Sequence, residues 1–165
     1  MEMKKQEIRL SGSGGQGVIL AAIILANAGV EQGLNAIQTQ SYGPEARGGA
    51  SKAEVILSND DINYPKITRA NILLSLTQKA YDKYNSTLET NGILIVDESV
   101  KLSGDEAFKV YSLPILRTAQ EKFETQLVAN IISLGAIYEL MGEDTIDKDI
   151  MIRSITERVP PHTVQ

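Results

Sequence analysis

The residues best suited to chemistry in this sequence form two glycine-rich stretches. Gly12-Ser13-Gly14-Gly15-Gln16-Gly17 fits G-x-G-x-x-G, with a strand-like run before it and a helix-like run after it. That is the setting in which a dinucleotide fingerprint works. The glycines permit positive φ and close backbone approach, and the free N–H groups at the start of the next helix make an anion site. A nicotinamide or flavin site also needs an acid about 20 residues on, to hold the ribose. Here the chain offers Ile37-Gln38-Thr39-Gln40, and Glu31 comes too early, still within the helix-like run. No arginine stands there for a 2′-phosphate, and no Gly-Lys-Ser/Thr follows to make a P-loop. Three readings stay open: a tight turn that binds nothing, a contact for a phosphate or other anion, or a dinucleotide site lacking its usual ribose determinant.

The second stretch runs Gln38-Thr39-Gln40-Ser41-Tyr42-Gly43-Pro44-Glu45-Ala46-Arg47-Gly48-Gly49-Ala50-Ser51-Lys52. In an open parallel sheet, ligands sit beyond the carboxyl ends of the strands. A loop after the second strand therefore belongs near the first glycine turn. Arg47, set among small residues, offers a planar fork to a carboxylate or phosphate. Glu45 and Arg47 could equally pair with each other in a solvated turn. A loop so rich in Gly, Pro, Tyr and Arg is expensive to order without a partner, and the residues do not say whether that partner is a ligand or a chain.

Weaker candidates follow. Asp97-Glu98 could be a carboxylate pair at a strand end or simply the polar start of a loop. Asn130, inside an apolar helix, is expected to satisfy a backbone or interface group. His162 follows Pro160-Pro161 and is expected to be structural or exposed. Asp144, Asp147 and Asp149 read as acids complementing a helix start, since the spacing of a calcium loop is not met.

Composition closes off other chemistry. The sequence has no cysteine, hence no disulfide, no thiolate nucleophile and no Cys ligands for zinc or an iron–sulfur cluster. Its one histidine is His162, which any His-built metal site or Ser–His–Asp triad would have to use. No metal site is expected on this chain. Sixteen Lys+Arg against 21 Asp+Glu give a net charge of −5, which argues against a nucleic-acid surface. The first residues hold no apolar core of a signal peptide, and the longest apolar run, Val18 to Ala26, is nine residues, far short of a membrane span. A reducing cytoplasm is the expected setting.

The elements that must position these residues alternate between strand and helix over 165 residues, a length that suits one domain, taken here as 1–165. Strands are expected at Glu7–Leu10, Asn35–Gln40, Ser51–Leu57 (with Ala53, Val55 and Leu57 on one face), Asn71–Leu76, Gly92–Val96 and Phe108–Leu113. Gly12–Gly17 and Ser41–Ala50 read as loops. Helices are expected at Val18 to about Gln32, closed by Gly33, at Gln78–Glu89, from Pro114 as first helical residue, at Leu127–Met141 and at Asp147–Arg158. The expected class is α/β, a Rossmann-like three-layer domain with a mostly parallel sheet. The helix from Val18 is apolar around its whole circumference, as is Leu127–Leu140. A helix lying on a sheet needs only an apolar stripe. Each is therefore covered by its own fold or meets another chain.

Three stretches in this order and spacing carry a resemblance: Leu10-Ser11-Gly12-Ser13-Gly14-Gly15-Gln16-Gly17-Val18, the second stretch from Gln38 to Lys52, and Val128-Ala129-Asn130-Ile131-Ile132-Ser133-Leu134-Gly135-Ala136. The chain resembles the γ subunit of 2-oxoacid:ferredoxin oxidoreductases from about Ile8 to Val159. Gly48-Gly49-Ala50-Ser51-Lys52 is more similar to the 2-oxoglutarate type than to the pyruvate type, which tends to read Arg-Gly-Ala-Pro there.

The resemblance implies a non-catalytic subunit in a complex that decarboxylates a 2-oxoacid with coenzyme A, makes acyl-CoA and CO2, and reduces ferredoxin. It implies thiamine diphosphate, Mg and iron–sulfur clusters on partner α, β and ferredoxin-like δ subunits, with no redox cofactor on this chain. It hands over no catalytic residue. The contacts expected here, to a partner subunit or to a coenzyme A phosphate, are Gly12, Ser13, Gly14, Gly15, Gln16, Gly17, Tyr42 and Arg47. The competing expectations are a pyruvate or 2-oxoisovalerate enzyme of the same family, a stand-alone nucleotide-binding Rossmann protein, and a scaffold whose turns bind nothing.

Overall fold

Short apolar runs alternating with helix-length ones build a six-stranded sheet. The structure, a computed structural model, describes residues 5–41, 49–104 and 109–159. Tyr42, Glu45, Arg47, Phe108 and His162 lie outside the described residues. In chain order the elements are β1 (Gln6–Ser13), α1 (Val18–Glu31), β2 (Asn35–Ser41), β3 (Ala50–Ser58), β4 (Ala70–Ser75), α2 (Gln78–Tyr84), β5 (Leu88–Asp97), β6 (Lys109–Leu113), α3 (Ile115–Phe123), α4 (Ala129–Met141) and α5 (Lys148–Arg158). Sheet order is β2-β3-β1-β4-β5-β6. β3 is antiparallel to both its neighbours and the other pairings are parallel, so five of the six strands point the same way.

The sheet is covered on both sides, as a largely parallel sheet must be. Ile8, Leu10, Ala53, Val55, Leu57, Ile72 and Leu74 pack with α1, α3, α4 and α5. On the opposite face Ile56, Leu73, Leu94 and Val96 pack with Tyr81 and Tyr84 of α2. The expected three layers are present, with four helices on one side and one on the other. Ala53, Val55 and Leu57 do share a face, but Glu54 and Ile56 on the other face of β3 are buried too.

The apolar circumference of α1 is covered within the chain except on its outer side, where Ile19, Leu20 and Ile23 are half-buried and Val30 is 60% exposed. It contacts the sheet, α4 and α5, and Ala21, Ala22, Ile24, Leu25 and Ala28 are fully buried. Gly33 closes it as expected: its N–H donates to the Val30 carbonyl at 3.0 Å, and that of Leu34 to the Gly29 carbonyl at 2.9 Å. On α4 the covering is less complete, and Leu127 just before it is 75% exposed.

Several expected boundaries move. The helix from Gln78 ends at Tyr84, not Glu89, because Asn85-Ser86-Thr87 form a single 3-10 turn in which the Thr87 hydroxyl donates to the Tyr84 carbonyl at 2.6 Å. Leu88 then already pairs with Ala70 in the sheet. Pro114 stands one residue before the helix rather than as its first residue. Asp147 likewise caps α5, its side chain accepting from the Asp149 N–H at 2.8 Å. No helix among the described residues is long and apolar enough to cross a membrane.

Candidate functional site

The first glycine stretch straddles an element boundary. Gly12 and Ser13, expected in the turn, still belong to β1, because β3 runs alongside and pairs Gly12 with Ser51 and Ser13 with Ala50. The turn proper is Gly14–Gly17, with Gly15 at φ +89° and Gly17 at φ +74°. Gln16 closes it on itself. Its N–H donates to the Ser13 carbonyl at 3.3 Å, and its side-chain Oε1 accepts from the Ser13 N–H at 2.7 Å. The same Oε1 lies closer to where a Cβ on Gly12 would stand than a real Cβ tolerates. Gly14 and Gly15 remain exposed on the outer side.

A second carboxamide meets the turn from α4. Asn130, 5% exposed, donates from Nδ2 to the Gly17 carbonyl at 3.3 Å and accepts at Oδ1 from the Ile131 N–H at 2.9 Å. A Cβ on Gly17 would come within 2.5 Å of that Nδ2. Asn130 thus satisfies backbone groups, one of the two roles expected of it, and brings the N-termini of α1 and α4 together at the carboxyl end of the parallel strands.

The second stretch reaches the same end of the sheet. Its described ends are Ser41, which closes β2 and pairs with Lys52, and Ala50, which opens β3 and pairs with Ser13 of β1. The expected neighbourhood of the two glycine stretches therefore holds for these ends, while Tyr42 and Arg47 lie outside the described residues. A groove of about 360 Å³ beside these ends is lined by Thr39, Gln40, Ser41, Lys52, Glu54 and Lys66, among others. A larger hollow, about 530 Å³, opens at the opposite, amino end of the parallel strands among Gln6, Asn71, Glu89 and Leu140, and no expected site residue lines it.

Under the groove lies a charge cluster that the sequence reading missed. Glu54, 8% exposed, accepts from Lys52 Nζ at 2.7 Å with one oxygen and from Arg9 Nη2 at 3.4 Å with the other. Arg9, 4% exposed, also donates to the Ile67 carbonyl at 2.9 Å and to the Thr87 hydroxyl, and its Cζ stands 5.9 Å from the centroid of the Tyr84 ring. Its Nε finds no acceptor among the described residues. The signal was present as a charge in the middle of each of two apolar strands, in Ile8-Arg9-Leu10 and Ala53-Glu54-Val55. The cluster ties the start of β3, and so the end of the second stretch, to β1 and α2.

The other candidates separate. Asp97 and Glu98 are not a working carboxylate pair. Asp97 is 2% exposed, and its carboxylate accepts from the Leu116 N–H at 2.8 Å, the Ser99 N–H at 3.0 Å and the Ser99 hydroxyl at 2.6 Å, capping the start of α3. Glu98 instead pairs on the surface with Arg117 at 2.8 Å. No group of three or more His, Cys, Asp or Glu able to hold a metal occurs among the described residues. The glycine turn, the described ends of the second stretch and the Lys52–Glu54–Arg9 cluster lie together at the carboxyl end of the parallel strands.

A model of the pyruvate ferredoxin/flavodoxin oxidoreductase family matches residues 7–165 of this chain. The 2-oxoglutarate synthase subunit KorC of Methanocaldococcus jannaschii is 44% identical over 164 residues, covering 96% of this chain and 86% of that protein. The KorC subunit of Methanothermobacter marburgensis is 41% identical over 167 residues, covering 96% and 89%. Among solved structures, the γ subunit of the keto/oxoacid ferredoxin oxidoreductase of Geobacter sulfurreducens is similar with a TM-score of 0.83 and 41% identity, over 96% of this chain and 89% of that one.

Proposed function

This chain belongs to the pyruvate ferredoxin/flavodoxin oxidoreductase family, and from that membership we propose that it is the non-catalytic γ subunit of a 2-oxoglutarate:ferredoxin oxidoreductase. The complex converts the 2-oxoacid and coenzyme A to acyl-CoA and CO2, and ferredoxin takes the electrons. Thiamine diphosphate, Mg and iron–sulfur clusters are carried by α, β and ferredoxin-like δ partners in the cytoplasm. The chain contributes one γ-type domain, residues 1–165. The observation that carries the substrate is the 44% identity to a 2-oxoglutarate synthase subunit across 96% of the chain.

Within this reading, Gly12, Ser13, Gly14, Gly15, Gln16 and Gly17, with Tyr42 and Arg47, form the contact to a partner subunit or to a phosphate of coenzyme A. Two things support it: the glycine turn and the described ends of the second stretch meet at the carboxyl end of the parallel strands, and Lys52 and Lys66 line the groove beside them.

The test is to purify the native complex through a tag on this chain and assay it with 2-oxoglutarate, coenzyme A and a one-electron acceptor. Thiamine- and cluster-bearing chains are expected to co-purify, with reduction dependent on 2-oxoglutarate. Activity with pyruvate or a branched 2-oxoacid instead corrects the substrate, and a chain that emerges alone and inactive removes the subunit reading. Arg47→Ala in the same preparation is expected to lower complex yield or to raise the KM for coenzyme A by roughly tenfold, the loss of one charge-assisted contact of about 1.4 kcal/mol. If both stay unchanged, Arg47 makes neither contact.

A further inference from the structure

We propose that β2 is an interface between two copies of this chain, which pair antiparallel along their edge strands into one continuous sheet. The two edges of the sheet are not alike. β6 has five residues, opens on the exposed Lys109 and is followed by Pro114, devices that keep an edge strand from pairing. β2 has seven residues, Asn35-Ala36-Ile37-Gln38-Thr39-Gln40-Ser41, without charge or proline, and no charged residue stands between Glu31 and Glu45. An edge of that length without such guards is a template for another strand. What selects a second copy is the charge at its two ends. At one end, Asn35 Nδ2 donates to the Asp60 carbonyl at 3.0 Å, and Asp61 lines a hollow of about 400 Å³ with Asn35, Ala36 and Ile37. At the other, Lys52 and Lys66 line the groove with Thr39, Gln40 and Ser41. Both ends belong to the same face of the sheet, on which Ile37, Ile62 and Ile67 pack with Ile56. A two-fold axis through Gln38 keeps that face on the same side in both copies. It sets Asn35 opposite Ser41, Ala36 opposite Gln40 and Ile37 opposite Thr39, so the Asp60-Asp61 corner of each copy comes beside Lys66 of the other. A contact between identical surfaces must complement itself, and an edge that is acidic at one end and basic at the other does so when the two strands run antiparallel. The central pairs are neutral, so no like charges oppose them.

The inference goes beyond the γ-subunit reading and does not rest on it, so the two fail separately. The chain contains no cysteine, so an introduced thiol reports a single contact. Under mild oxidation of the full-length chain, Gln38→Cys meets its own counterpart across the axis at the Cβ spacing of an antiparallel pair and is expected to form a disulfide between two chains. Asn35→Cys, whose counterpart is Ser41, is expected not to, whereas Asn35→Cys combined with Ser41→Cys is expected to cross-link. Sedimentation of the native chain at micromolar concentration is expected to give twice 18.0 kDa. Gln38→Lys sets two like charges opposite each other and is expected to raise the dimer dissociation constant roughly tenfold. Lys66→Glu and Asp61→Lys are each expected to raise it roughly fivefold and, combined, to bring it back to about the native value. A native chain that sediments as a monomer, a dimer that Gln38→Lys leaves intact, or cross-linking at Asn35→Cys alone rather than at Gln38→Cys would each overturn the proposal.

Discussion

Gly17→Ala is expected to lower stability by about 2–5 kcal/mol, against only about 1–2 kcal/mol for Gly15→Ala two residues earlier. Both residues lie in the left-handed region, at φ +74° and +89°, so both substitutions carry the conformational penalty of a Cβ there. They differ in what the Cβ meets. At Gly15 no heavy atom of the described residues lies within 4 Å. At Gly17 the new atom would stand 2.5 Å from Asn130 Nδ2, 2.9 Å from its Cγ and 3.2 Å from its Cβ. Swinging the amide away relieves the first contact and leaves the last, because the Asn130 Cβ is fixed on α4. For a chain of this size, each kcal/mol moves the melting temperature by roughly 2–4 °C, so Gly17→Ala should melt about 5–15 °C lower. Denaturant midpoints of the two variants check this. Equal losses would mean that the close approach of Asn130 contributes nothing, and the joint between α1 and α4 would have to be rethought.

Removing the carboxylate from the buried charge cluster should rank with it. Glu54→Ala leaves Arg9 and Lys52 on the same face with no anion between them, one of them 4% exposed, and breaking a buried pair from one side is expected to cost about 3–5 kcal/mol. Arg9→Met is expected to cost below about 2 kcal/mol, because Glu54 keeps Lys52 at 2.7 Å and an Nε without an acceptor leaves the interior with the guanidinium. Urea unfolding of the two variants gives the order directly. If Arg9→Met were the more costly, the hub of the cluster would be the arginine, held by Tyr84, Thr87 and the Ile67 carbonyl more than by Glu54.

Periodicity carried most of the fold. The six strands and the long helices stand where alternating and all-round apolar runs put them, because each such run has one way to bury itself in a chain of this length. Where local signals were weak, the boundaries moved. Asn85-Ser86-Thr87 continues the helix pattern on paper, but those side chains compete for backbone hydrogen bonds and the next residues are claimed by β4. The glycine motif was legible as a strand-to-helix turn, and the lack of a ribose acid was legible with it.

Residue types and spacing alone determined the α/β class, the absence of thiol chemistry and the family resemblance, since these depend on composition and short-range pattern. Only the tertiary structure decided what fills the glycine turn, because Gln16 reaches back over Gly12 and Asn130 arrives from α4, 113 residues further along the chain. It also decided that Arg9 and Glu54, 45 residues apart, share one buried site. The antiparallel insertion of β3 between β2 and β1 brings those two strands together, and strand order is a long-range choice that local propensity does not encode.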